Sequence, residues 1–273
     1  MNQEQLDQVV SIARAAGEEI MKVYATDFDV AYKGKNDPVT DADQRANELI
    51  VKRLREAFPD DGIVAEESAD KSDASSRGRV WYVDPLDGTK EFIAKNGEFA
   101  VMIGLSIDGE ARAGVVYQPV KDKLWAGIVG EGAYLLEGGR RRELAVSEVS
   151  DPKDLKLVVS RSHRAQSTDD LVKQLGITDE VQHGSVGLKI GMLAEQVADL
   201  YVIIAPKSSK WDACGPEAVL RAAGGRFGDL AGEPFRYVGT EMKNLRGILA
   251  CNAAAWDAVL PVAREIARDN GLL

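Results

Sequence analysis

The segment Trp81-Tyr82-Val83-Asp84-Pro85-Leu86-Asp87-Gly88-Thr89 places two carboxylates, a carbonyl between them and a hydroxyl on one short turn. Hard oxygens at that spacing suit Mg²⁺. The amides of Gly88 and Thr89 add donors for a phosphate. Taken alone, an Asp-Gly turn is also ordinary loop chemistry. Other acids sharpen the reading. Glu66-Glu67 ends the apolar run Gly62–Ala65, and Asp212 follows Trp211 where a helix is expected to start. Converging carboxylates repel one another, so cations are needed to offset the cost. Each acid also has a plain role: Asp212 as a helix N-cap, Glu66 and Glu67 as solvated edge charges. Thr40 and Asp43 have the spacing of a capping box. Capping is the simpler reading of that spacing; read together with Thr89, Asp43 would also accept a proton from its hydroxyl, which in turn would deprotonate a metal-bound water. The two roles are compatible.

Certain elements must position these groups. Leu6, Val9, Val10, Ala13, Ile20 and Tyr24 recur at helical spacing and predict a first amphipathic helix. A polar stretch follows. A second helix opens at Thr40 and carries Ala46, Leu49, Ile50, Leu54 and Phe58, with Pro59 just beyond. Val80–Val83 reads as the buried strand that delivers Asp84. Between Phe99 and Tyr134, apolar runs broken by Asp108-Gly109 and Pro119 predict an antiparallel meander. From Leu157 onward strands and helices alternate: helices over 169–175 and 188–197, a strand at 201–204, and a helix from Asp212 to Ala223 closed by Gly224-Gly225. This order predicts a layered α+β and α/β protein with helices sandwiching two sheets. An N-terminal part, 1–150, would carry most metal ligands, and a C-terminal part, 151–273, would complete the site.

With 273 residues, 45% hydrophobic and 29% charged, the chain can bury a large core. A net charge of −10 argues against binding a nucleic-acid polymer but permits a small anionic substrate. Cys214 and Cys251 are far apart in sequence, which suits a reducing cytoplasm. The N-terminal residues read as an amphipathic helix rather than a signal peptide, and no apolar run in the sequence reaches membrane-spanning length.

Asp84-Pro-Leu-Asp-Gly-Thr89, Trp211-Asp212-Ala213 before a helix ending in Gly-Gly, and Val39-Thr40-Asp41-Ala42-Asp43 resemble the signature motifs of the inositol monophosphatase superfamily. The resemblance runs from the first helix to about Ala250. It implies the sugar-phosphatase αβαβα sandwich and two or three Mg²⁺ ions. Glu66, Asp84, the Leu86 carbonyl, Asp87 and Asp212 would be the ligands, with Glu67 helping to hold a weaker third ion. Thr89 with Asp43 would activate the attacking water for direct in-line displacement, and Asp212 would also meet the substrate. Inhibition by lithium and by excess magnesium is a further expectation of the resemblance; the residues do not fix the oligomeric state, for which a homodimer is one expectation.

Lys90-Glu91-Phe92 and Asn96-Gly97-Glu98-Phe99 continue the motif as in the 3′(2′),5′-bisphosphate nucleotidases, where inositol monophosphatases usually have Thr-Asn-Phe at the first place. Ser160-Arg161-Ser162-His163 and Gly184-Ser185-Val186-Gly187-Leu188-Lys189 are similar to nucleotidase segments that meet the substrate. The resemblance thus implies contacts from Gly88, Thr89, Ser160, His163, Ser185 and Lys189, with a glycine-rich helix start as an anion site. Sulfur assimilation is the natural context for such an enzyme. Plain alternatives remain: a polar loop for 160–163, a surface lysine at 189, a loop histidine at 183, and solvated Lys207 and Lys210. Arg140-Arg141-Arg142 reads as a solvated turn, and Trp81 and Trp125 as core. The competing functions are an inositol- or sugar-phosphate phosphatase, fructose 1,6-bisphosphate included, and a non-catalytic metal or nucleotide sensor.

Overall fold

The computed structural model describes residues 1–34, 37–69, 77–162 and 164–273. Among the described residues, two large sheets and three layers of helices alternate. A seven-stranded sheet runs β3 (Gly62–Ala65), β4 (Arg79–Asp87), β5 (Ala100–Ile107), β6 (Glu110–Gln118), β7 (Lys123–Ile128), β8 (Gly132–Glu137) and β9 (Arg140–Leu144), and a five-stranded sheet runs β11 (Asp179–His183), β10 (Lys156–Ser160), β12 (Leu200–Ile203), β14 (Ile248–Cys251) and β13 (Arg226–Gly228). Helices α1 (Gln3–Tyr24) and α2 (Asp41–Ala57) cover the outer face of the larger sheet. Helices α5 (Val186–Ala194) and α6 (Lys210–Ala222) lie between the sheets, and α4 (Gln166–Leu175) and α7 (Trp256–Asp269) close the far side. The expected αβαβα sandwich is the observed one.

Strand alternation explains how one chain serves so many layers. In β4 (Arg79–Asp87), Trp81 and Val83 join the α1/α2 core, while Val80 and Tyr82 join the core around α6. In β10 (Lys156–Ser160), Val158 faces α5 and α6, and Leu157 and Val159 face α4 and α7. Both sheets are therefore apolar on two faces. The meander is antiparallel as expected, from β5 (Ala100–Ile107) through β6 (Glu110–Gln118), β7 (Lys123–Ile128) and β8 (Gly132–Glu137). It extends at one end to β4 and β3 (Gly62–Ala65), which pair in parallel, and at the other to β9 (Arg140–Leu144).

Several expectations are corrected. Arg140 to Arg142 form an exposed edge strand rather than a turn, a place where charge blunts unwanted pairing. The polar stretch before Thr40 holds two short strands, β1 (Val30–Gly34) and β2 (Asp37–Thr40). Helix α4 starts at Gln166 rather than 169, and α5 covers 186–194 rather than 188–197. The second half does not continue as simple strand–helix alternation. β11 (Asp179–His183) and β12 (Leu200–Ile203) flank β10 in parallel, but β13 (Arg226–Gly228) and β14 (Ile248–Cys251) pair antiparallel.

Helix α6 sits unusually close to the larger sheet. A Cβ at Gly114 would lie 2.1 Å from the Gly215 carbonyl oxygen, and one at Gly104 would lie 2.3 Å from the Gly215 amide nitrogen. Glycine on both surfaces permits that approach. It sets the depth of everything α6 carries.

Candidate active site

The catalytic loop grows directly from β4. Asp84 shares the inner face with Tyr82, so it points toward α6, and it is only 3% exposed. Pairing with β5 shifts register between Asp84 and Asp87, which turns the chain out of the ladder. Parallel pairing aligns Ala65 with Val83, and the Glu66 amide donates to the Val83 carbonyl at 3.0 Å. Glu66 is thereby delivered beside Asp84. Asp212 arrives from α6, its carboxylate accepting from the Ser209 amide at 2.7 Å. Ser209 is the N-cap and Asp212 stands at N3, so Asp212 is not the cap residue itself.

Carboxylate oxygens of Glu66, Asp84 and Asp212 all lie within 4.8 Å of one another. Burial first, then the charges of Glu66, Asp87 and Asp212, pushes the Asp84 carboxyl well above its usual range. Burial, Glu66 and Asp87 do the same to Asp212. Acids gathered at this cost offer a hard-oxygen cage, and the donor set fits a divalent cation. Asp87 and Leu86 line the same cavity. Glu67 stands outside the three-carboxylate group; its carboxylate accepts from Gln44 at 3.2 Å and its charge is felt by Asp43.

Thr89 and Asp43 meet across the loop. The Thr89 hydroxyl is 3.2 Å from Asp43 Oδ1 and 3.3 Å from the Leu86 carbonyl oxygen. The other Asp43 oxygen accepts from the Thr40 amide at 2.8 Å and the Thr40 hydroxyl at 2.7 Å. One carboxylate thus caps α2 with one oxygen and faces Thr89 with the other. Burial raises Asp43 to about 6 against the opposing pull of the Thr40 hydrogen bonds. Gly88 turns the chain at φ 99°, and a Cβ there would press on the Glu98 carbonyl at 3.0 Å.

All of this opens on a cavity of about 630 Å³. Ser160, Ser185 and Lys189 line it, as do Arg164, Thr168, Lys207 and an apolar wall of Val159, Val202 and Ile204. Lys189 is no surface lysine. It is 2% exposed, its ammonium donates to the Ser185 carbonyl, and burial lowers it to about 8 despite Asp87, Glu91 and Glu98. The start of α5 meets an anion of the protein's own: the Ser185 hydroxyl and the Gly187 amide (2.9 Å) both donate to Asp87 Oδ2. The ring of His183 bonds the Gly184 carbonyl at 2.9 Å. His163 lies outside the described residues. Lys210 donates to the Val238 carbonyl at 2.5 Å, and Trp81 and Trp125 are core.

Sequence reasoning did not find the contacts that hold this loop from the second half of the chain. The Ser162 hydroxyl donates to Glu91 at 2.6 Å, and Arg161 grips Glu98. Motif similarity marked those segments without showing that they touch.

A carboxylate cage beside a hydroxyl–carboxylate pair, at the junction of two sheets in an αβαβα sandwich, is the equipment of a metal-assisted hydrolase. Comparison with known proteins agrees. The chain belongs to the inositol monophosphatase family, whose model matches residues 1–266, and it is a phosphatase of that metal-dependent group. It is 40% identical over 241 residues to the 3′(2′),5′-bisphosphate nucleotidase CysQ of Escherichia coli O157:H7, covering 86% of this chain and 95% of that one. The crystal structure of CysQ from Bacteroides thetaiotaomicron superposes with a TM-score of 0.77 at 32% identity, covering 92% and 98% of the two chains. An IMPase from Thermotoga maritima reaches 0.82 at 24% identity over 98% and 99%, a likeness of fold. Among the described residues no helix is long and apolar enough to cross a membrane.

Proposed function

We propose that this protein is a Mg²⁺-dependent 3′(2′),5′-bisphosphate nucleotidase that releases phosphate from adenosine 3′,5′-bisphosphate to leave AMP. The observation that carries the reading is one cavity that joins a cation cage to a second, cationic and apolar-walled region. Three converging carboxylates stand at one place, and a buried lysine with an apolar wall stands nearby. Release of a single phosphate needs only the first. A substrate with a second phosphate and a flat apolar base uses the rest, and the identity to CysQ nucleotidases supports the same class.

Glu66, Asp84, the Leu86 carbonyl, Asp87 and Asp212 would hold the ions, two in number with Glu67 near a third. Bound there, divalent cations supply Lewis-acid stabilisation of the phosphoryl group and of the departing oxygen. The chain's own residues move the proton. Thr89 takes it from the attacking water as its own hydroxyl proton passes to Asp43 Oδ1, 3.2 Å away. Thr40 keeps Asp43 in place through two bonds to the other oxygen. No side chain becomes phosphorylated in this scheme. Ser160, Ser185 and Lys189 would orient the nucleotide, the amides of Gly88 and Thr89 the scissile phosphate.

Phosphate release from adenosine 3′,5′-bisphosphate, inositol 1-phosphate and fructose 1,6-bisphosphate, measured side by side in Mg²⁺, tests the reading. The nucleotide should be preferred in kcat/KM by at least about a hundredfold, as expected when buried polar groups go unpaired with the wrong substrate. Efficient turnover of inositol 1-phosphate with an inert nucleotide would reject the assignment. Ion binding with no release from any of the three would favour a sensor.

A further inference from the structure

The catalytic loop is tied to the second half of the chain by an inner and an outer set of bonds. The inner set is the Ser185 hydroxyl and the Gly187 amide on Asp87 Oδ2. Ser185 reaches Asp87 with φ 59°, left-handed backbone that a non-glycine residue adopts only when its surroundings hold it. The 183–185 turn must therefore be fixed from outside. Glu98 does this with both oxygens. Oε2 accepts from the Gly184 amide at 2.7 Å and from Arg161 Nε at 2.8 Å, while Oε1 accepts from Arg161 Nη2 at 2.6 Å. Arg161 completes the grip from its other side: its amide donates to the His183 carbonyl at 3.2 Å and its guanidinium to the Gln182 carbonyl at 3.3 Å. Two-pronged pairing of guanidinium and carboxylate fixes direction as well as distance. Gly184 fits with no room to spare, since a Cβ would lie 2.4 Å from Glu91 Cγ and 2.8 Å from the Glu98 carbonyl oxygen. Neither Glu98 nor Arg161 is among the residues lining the cavity.

We propose that Glu98 and Arg161 are positioning residues whose ion pair clamps the 183–185 turn, so that Ser185 and Gly187 hold Asp87 in its ligand orientation. This rests on the reading of Asp87 as a metal ligand given above. The pair itself is partly solvent-exposed, 42% for the Arg161 side chain and 17% for that of Glu98. Solvent screening keeps the contribution of a surface pair to global stability modest even when it is two-pronged, so the larger effect is expected at the site. Partners one step outside a metal's ligands typically carry 10–100-fold in affinity or activity. The clamp acts one step further out, and about tenfold is expected.

Arg161→Ala and Glu98→Gln are to be compared with the unmodified chain in three ways. Mn²⁺ alone is titrated in, followed by loss of the free-ion electron paramagnetic resonance signal. Steady-state phosphate release from adenosine 3′,5′-bisphosphate is measured at fixed Mg²⁺, and thermal melting is recorded. Both variants should bind Mn²⁺ about tenfold more weakly and lose kcat in proportion. KM should stay within about twofold and Tm within about 3 °C. Unchanged Mn²⁺ affinity with a raised KM would overturn the clamp, because Arg161 would then be meeting the substrate. Should Arg161→Ala fail to fold, Glu98→Gln decides alone: it keeps the side chain's size and an oxygen for Gly184, and normal Mn²⁺ affinity in it overturns the proposal. An unmodified chain that binds Mn²⁺ but spares the nucleotide sinks the nucleotidase reading only. One that binds no Mn²⁺ sinks the ligand reading of Asp87, and the clamp with it.

Discussion

Asp212 and Glu217 stand little more than a turn apart on α6, and their surroundings are opposite. Glu217 is 1% exposed and fully partnered: the Tyr237 hydroxyl donates to one oxygen at 2.6 Å, and Arg221 donates to the other at 3.0 Å. Asp212 is drawn instead toward Glu66 and Asp84, with a backbone amide at Ser209 and the more distant charge of Lys243 on the other side. The first arrangement ties α6 to the segment around Tyr237. The second keeps like charges together, which costs stability unless a cation joins them. A buried acid matched to a tyrosine and an arginine secures a fold; acids drawn into one group mark a site.

The largest expected effect breaks the contrast at its acidic end. Asp84→Asn should lower turnover by more than about a thousandfold, beyond the range of an outer partner. The ion-free protein should melt no lower than the original, because a repelling charge has gone. A melting loss comparable to the activity loss would make Asp84 a structural acid like Glu217. Next comes Asp43→Asn, which should reduce kcat by about 10²–10³-fold through loss of a proton acceptor. Mn²⁺ affinity and KM should hold, and full turnover would leave Asp43 with its capping role alone.

At the paired end the prediction concerns pH. Burial, opposed by the Tyr237 and Arg221 contacts, raises Glu217 from 4.5 to about 7. The folded chain then keeps a proton that the unfolded chain releases between those values. Its contribution is complete below pH 4.5 and is lost as pH rises through 7, roughly 3 kcal/mol in all. Denaturant unfolding at pH 4.5, 6 and 7.5 should show that decline, and Glu217→Gln should flatten this component. An unchanged slope in the variant would show that Glu217 does not titrate there. The smallest effect tests the helix that carries both acids. Gly114→Ala drives a methyl into the Gly215 carbonyl and should cost about 2 kcal/mol by overpacking. Mn²⁺ binding should weaken with it as Asp212 is lifted; normal binding would separate the depth of α6 from the site.

The loop from Asp84 to Thr89 was legible because its chemistry is local: a strand end, a proline that stops the ladder, and a glycine that turns. The Thr40 and Asp43 spacing was legible for the same reason: one carboxylate oxygen makes the cap, and the other meets the Thr89 hydroxyl. Other features were harder to see. α7 has Trp256, Val259, Ala263, Ile266 and Ala267 at helical spacing, a signal present in the sequence but not used. The Arg140–Arg142 strand offers no apolar alternation on which to recognise it, since only its partner β8 makes it a strand.

Residue order by itself determined the identity of the acids, the turn that exposes two of them, the cap that holds Asp43 and the layered class of the fold. All of these depend on neighbours a few positions away or on the period of apolar residues. Only the tertiary structure decided that Glu66 lies against Asp84 by parallel pairing, that Asp87 is bound by the start of α5, and that Lys189 is buried. Those outcomes rest on sheet register and on how closely glycine lets α6 approach, and neither is written in local spacing.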